Sequence, residues 1–106
     1  MANPWTGEVT LVIDGNPRVM KLTLGALAEL EQALSAGSLI DLVQRFESGG
    51  FSAADIMALI GAGLQGGGNS MSFDELAKAQ IDGGPMAAAR AAAKLLARAF
   101  MVPEQS

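Results

Sequence analysis

The hydrophobic period of this chain changes once near its start, and that change constrains the fold more than any other feature. Glu8 to Ile13 alternates, with Val9, Leu11 and Ile13 on one side and Glu8, Thr10 and Val12 on the other. A period of two describes a half-buried strand. Asp14-Gly15-Asn16-Pro17 follows, and Asp-Gly between alternating runs is a strong hairpin signal. Pro17 has no N–H for a ladder, so it belongs to the loop or the first position of the second strand. From Arg18 to Leu22 the alternation resumes, with Met20 and Leu22 opposite Val19 and Lys21. Then the spacing becomes helical: Leu27, Leu30 and Leu34 form one stripe, with Glu29 and Gln32 facing away. A lone hairpin is marginal in water, so it must lie against the helices that follow. The expected class is therefore α+β.

The rest of the chain is punctuated helix. Thr23 suits the N-cap of a helix to about Ser35, with Gly37 as its stop. Ser38 caps a second helix, whose Leu39, Leu42, Val43 and Phe46 fill the i, i+3, i+4, i+7 template. Its Asp41, Gln44 and Arg45 take the wet side, and Gly49-Gly50 closes it. Two capping boxes come next. Ser52 with Asp55 opens a helix carrying Ile56, Leu59, Ile60 and Leu64; Ser72 with Glu75 opens a shorter one carrying Leu76 and Ile81. The run Gly66 to Ser70 reads as a flexible connection, and Gly83-Gly84-Pro85 introduces a last helix to about Met101, stopped by Pro103. The expectation is one domain over residues 1–106: flexible ends at 1–5 and 102–106, a hairpin over 6–22, and about five short helices over 23–101.

Composition narrows function mainly by what is missing. The chain has no His, Cys or Tyr. That removes the commonest general base, every thiolate and disulfide, and the commonest metal ligand. Asp, Glu, Lys, Arg, Ser and Thr remain, but no grouping among them forms a catalytic constellation. Glu29 and Glu31 diverge by roughly 200° on a helix, while Asp74 and Glu75 are explained by capping and the helix dipole. The expectation is no enzyme, no cofactor and no metal.

Gly61-Ala62-Gly63-Leu64-Gln65-Gly66 matches the dinucleotide fingerprint G-x-G-x-x-G. That fingerprint needs a strand before it and a helix directly after it. Here Gly67, Gly68, Asn69 and Ser70 follow, and the Ser52 box makes the preceding residues helical. Two small positions where a neighbour packs closely explain the glycines better.

Charge is uneven. Net charge is −4, yet the last helix carries Arg90, Lys94 and Arg98 and no acid. Spaced four apart, these drift only about 40° per step around one face. Ala88, Ala92, Leu95, Leu96 and Phe100 form the opposite face. Such a helix either rests with its polar side in water, or docks an acidic partner, or detaches to offer its apolar face. Nucleic acid needs a larger basic footprint. Three charges on an Ala-rich helix also make a weak membrane-surface element. No apolar run reaches the ~18 residues of a membrane span, and no secretory signal opens the chain, so the expected location is the cytoplasm. Met20, Met57, Met71, Met86 and Met101 either fill gaps in a core poor in aromatics or form an adaptable binding surface.

A series of phrases carries a family resemblance. Asn3-Pro4 precedes Gly7-Glu8-Val9, and Leu22-Thr23-Leu24-Gly25-Ala26-Leu27-Ala28-Glu29-Leu30-Glu31 follows. Arg45-Phe46-Glu47, Leu59-Ile60-Gly61-Ala62-Gly63-Leu64 and Ala93-Lys94-Leu95-Leu96-Ala97-Arg98-Ala99-Phe100 continue in order. From about Asn3 to Phe100 the chain resembles the small tail proteins of gene transfer agents, phage-like particles made by some bacteria. The resemblance implies a non-enzymatic tail assembly chaperone that coats the tape-measure protein until tube subunits polymerise. Its alternatives are a structural tail tube or tail-completion subunit and, far less in keeping with the residues, a small nucleotide-binding or enzymatic domain. The implied partners are the tape-measure protein and the tube subunit, with homo-oligomerisation left open. The expected partner surface lies on the second and last helices: Leu39, Phe46, Arg90, Lys94, Arg98 and Phe100.

Overall fold

The computed structural model describes residues 7–33 and 39–100. The expectations for Leu34, Ser35, Gly37, Ser38, Met101, Pro103 and the two flexible ends lie outside them. Two strands, β1 (Val9–Ile13) and β2 (Asn16–Met20), precede five helices. These are α1 (Leu24–Ala33), α2 (Leu39–Ser48), α3 (Ala53–Gly66), α4 (Phe73–Lys78) and α5 (Gly84–Phe100). The chain is α+β, one compact unit of a hairpin and helices.

The hairpin turns through two residues. Asp14 and Gly15 both have positive φ, 52° and 79°, the pairing that matches the twist of antiparallel strands. Antiparallel register runs from Ile13 opposite Asn16 to Val9 opposite Met20. Residues bracketing a two-residue turn exchange bonds, so Val9, Leu11 and Ile13 point their backbone groups at β2 while Thr10 and Val12 point theirs away. Pro17 stands opposite Val12, one residue inside the strand. Its nitrogen faces away from β1, so the missing N–H costs no ladder bond.

Alternation places Val9, Leu11, Ile13 and Met20 in the core, as expected. Beneath them lies α3, the hub of the fold, which packs on α1, α4, α5 and β2. Leu59, Ile60 and Leu64 of α3 are fully enclosed, and Ala62 and Gly63 are buried beside them. On α5, Ala88, Ala91, Ala92, Leu95 and Leu96 face inward. From α1 come Ala26 and Leu30, with Leu27 packed at the margin. Three predicted caps form: Thr23 Oγ1 accepts from Ala26 N at 3.1 Å, and Ser52 and Ser72 both make complete capping boxes.

The structure corrects three local expectations. The first concerns Gly66 to Ser70, which is no slack connection. A Cβ on Gly66 would lie 1.9 Å from the Lys21 carbonyl oxygen, and one on Gly67 2.1 Å from that of Val19. Those glycines let the end of α3 press on β2. Lys21 N donates to Gly63 O at 2.9 Å, and Asn69 Nδ2 donates to Val19 O at 3.0 Å.

The second is Ile81, which is not on α4. That helix stops at Lys78, Ala79 is extended, and Ile81 forms an antiparallel bridge with Ile13. Asp14 N donates to Gln80 O at 2.8 Å, Asp82 N to Val12 O at 3.0 Å, and Gln80 N to Asp14 Oδ1 at 2.8 Å. One more turn of a six-residue helix offers less than these bonds.

Arg45 is the third. It leaves the wet side of α2 and grips Asp55 in α3 with two hydrogen bonds of 3.0 Å.

Candidate partner-binding surfaces

Three depressions on this scaffold have the makings of binding surfaces, and each comes from a different sequence pattern.

An apolar groove of about 220 Å³ lies between α1, α3 and α4. Leu30, Met57, Ala58, Gly61, Ala62, Met71 and Leu76 line it, with Glu29 and Gln65 on its rim. Helical spacing puts Met57, Ala58, Gly61 and Gln65 along one side of α3. Gly61 forms open floor: a Cβ there would meet nothing within 4 Å. Met57 and Met71 are half-buried, so their thioethers can repack around a guest.

The second depression sits on the outer side of α2, lined by Ile40, Val43, Gln44 and Glu47. This is a second i, i+3, i+4, i+7 stripe, displaced from the inward one. Ile40 is 68% exposed, one of three large apolar residues standing in solvent among the described residues. Only Leu42 of α2 is fully buried; Leu39, Val43 and Phe46 are half-buried against the core. The helix is held to α3 by chemistry as much as by packing. Asp55 is 8% exposed and accepts from Arg45 Nε, Arg45 Nη2 and Ser52 N. The Arg45 bond holds the Asp55 carboxyl below the usual carboxylate range, against the opposing effect of burial, and the Ser52 amide adds to it. Phe46 also stacks on Phe51, ring centroids 4.5 Å apart and planes 9° from parallel.

The third is a polar groove of about 240 Å³ between β1 and α5. Its walls are Val9 to Val12 on the strand side and Ala87, Arg90, Ala91 and Lys94 on the helix side, with Asp82 also at its border.

The expected site residues fall on separate parts of this surface. Leu39 and Phe46 flank the α2 stripe but turn towards the core. Arg90 and Lys94 are exposed and line the β1–α5 groove. Arg98 is half-buried and donates from Nη1 to the Glu8 carbonyl oxygen, which ties the end of α5 to the start of β1. The side chain of Phe100 lies outside the described part. Sequence reasoning missed the Arg45–Asp55 pair, although Arg45 facing a box acid ten residues on was a usable hint. It also missed the methionine groove, whose residues come from three helices and the loop before α4.

Gly61 to Gly66 lies within α3, so the G-x-G-x-x-G pattern opens no helix. Among the described residues, no three His, Cys, Asp or Glu converge to hold a metal ion. No described helix is long and apolar enough to cross a membrane.

No curated protein and no solved structure matches the chain. A family model does match, over residues 6–102, which takes in the hairpin, all five helices and all three depressions. On that match the chain belongs to the family described as phage tail tube protein, GTA-gp10.

Proposed function

We propose that this tail protein is a non-enzymatic assembly chaperone that holds an apolar helix of the tape-measure protein until the tube forms around it. The observation that carries this reading is the groove between α1, α3 and α4. Its floor is glycine, its walls are Leu, Ala and Met, and its rim holds the single acid Glu29. A groove of that make-up suits the apolar side of an amphipathic helix. Methionine walls suit a guest whose sequence varies along its length, because thioethers adapt at low cost. The outward stripe of α2 is a second apolar surface, separate from that groove. The expected setting is the host cytoplasm during assembly.

Co-expression with the tape-measure protein tests the reading. Met57→Glu and Gly61→Leu should each block the groove and abolish co-purification, while thermal melting shows the variants folded. Retained co-purification with folded variants removes the groove from the function.

A second reading, a tube or tail-completion subunit kept in the particle, is favoured by the family's own description as a tail tube protein. Mass spectrometry of purified particles separates the two. Trace amounts support the chaperone; a stoichiometric copy number overturns it in favour of the structural subunit.

A further inference from the structure

The two edges of the hairpin are finished differently. The outer edge of β2 is closed by the end of α3: Gly63 O and the Asn69 side chain take its outward groups, and Gly66 and Gly67 lie against its carbonyls. The outer edge of β1 is closed at its two ends, where Gln80 to Asp82 pair across Ile13 and where Arg98 Nη1 donates to the Glu8 carbonyl oxygen. By the ladder's parity, Thr10 N–H and C=O and Val12 N–H also face that side, and among the described residues no third strand pairs with them. That parity is visible in Val12 O, which accepts from Asp82 N on the same side.

An open edge is normally covered or guarded by charge. Here Arg90 and Lys94 guard it, exposed on α5 across the groove from Val9 to Val12. Among the described residues no acid pairs with either, and the acid at the groove's border, Asp82, has its backbone in the bridge to β1. Unpaired backbone groups recognise an extended backbone, and two unpaired cations beside them recognise acidic side chains.

We propose that the free edge of β1, with Arg90 and Lys94, binds an extended acidic segment of a partner protein as a third strand. The segment continues the line that Gln80 to Asp82 begins. Backbone bonds to Thr10 and Val12 fix its register, and carboxylates on its α5-facing side meet Arg90 and Lys94. A second copy of this chain is a poorer occupant. Two β1 edges paired about a two-fold axis would set both copies' Arg90 and Lys94 around one pair of strands, and like charges across strands repel. This surface is distinct from the methionine groove and does not depend on which tail role the protein plays.

The test uses the isotope-labelled full chain and a synthetic peptide of about eight residues alternating Thr and Glu, a normal strand length. Two controls replace Glu by Gln and by Lys. Addition of the acidic peptide should slow amide exchange at Thr10 and Val12 and give cross-strand nuclear Overhauser contacts to Thr10. The Gln peptide should bind about tenfold more weakly, and the Lys peptide should not bind. The Arg90→Glu, Lys94→Glu double variant alters only exposed side chains and should reverse the preference to the Lys peptide. Thr10→Pro removes an outward N–H without touching the β1–β2 ladder and should abolish binding, with the hairpin's own amide signals retained. Unchanged Thr10 and Val12 amides at saturating acidic peptide would overturn the proposal. So would equal affinity for the Gln peptide, or perturbations confined to α2 or to the α1–α3–α4 groove.

Discussion

Helices α2 and α3 sit side by side in sequence and differ in almost every way that matters to the fold. In sequence, α2 has the cleaner amphipathic pattern; α3 is apolar nearly all round and carries three glycines. Pattern quality alone would make α2 the better-packed element. The structure reverses this. α3 packs broadly on four other elements, whereas α2 encloses one residue completely, Leu42, and has no broad contact with any other element. A two-faced helix needs only one neighbour, but a helix apolar on every side must be surrounded. Glycines strengthen the contrast. They are costly in an isolated helix, yet in α3 Gly63 brings Leu95 and Met20 within reach and Gly66 the backbone at the end of β2.

The comparison breaks most readily at the glycines. Gly66→Ala or Gly67→Ala puts a methyl against backbone that cannot yield, and should cost about 3 kcal/mol or more. Urea denaturation measures it; a loss below about 1 kcal/mol would show that α3 and β2 are not in close contact. Gly61→Ala is the control with opposite sign. Its Cβ meets only open space, so better helix propensity should stabilise by roughly 0.5–1 kcal/mol. The same methyl narrows the methionine groove, so tape-measure binding should weaken as stability rises.

Next in size is the link between the two helices. Asp55→Ala removes a capping acceptor and both bonds to Arg45, and should cost about 2 kcal/mol. Amide exchange should quicken throughout α2 while the centre of α3 stays protected. Uniform acceleration would mean that α2 is as integral to the core as α3. Acidification probes the same link. The folded-state pKa of Asp55 lies below its unfolded value, so its stabilisation is complete above the ordinary carboxylate range. It is lost as pH falls through the folded value. Exchange in α2 should therefore rise in strong acid before exchange in α3, and Asp55→Asn should flatten that difference.

The smallest expected loss is Ser72→Ala, about 1 kcal/mol from one solvent-exposed capping box. It should loosen α4 and the nearby Met71 wall of the methionine groove without altering exchange in α5.

Much of the architecture was legible in the residues. Asp14-Gly15 marked the turn, alternation selected the buried side of both strands, and Ser52, Ser72 and Thr23 marked three helix starts. Such signals are local: each depends on a few neighbouring residues and on backbone sterics or short-range hydrogen bonds. The binding surfaces were far less legible. Leu39, Phe46, Arg90, Lys94 and Arg98 stand out in the sequence because their helices are amphipathic, and periodicity cannot tell which side a neighbour covers. Arg98 proved to be tied to Glu8, ninety positions away in the chain.

From sequence alone, then, this protein was determined to be a hairpin followed by helices, built without His, Cys or Tyr. Tertiary structure decided that Gly66 and Gly67 serve close packing, that Ile81 joins the sheet, that Arg45 grips Asp55 and that, among the described residues, no third strand covers Thr10 of β1. Each of those depends on atoms far apart in the chain meeting within a few ångströms. Local propensity contains no record of such distances; only the folded core sets them.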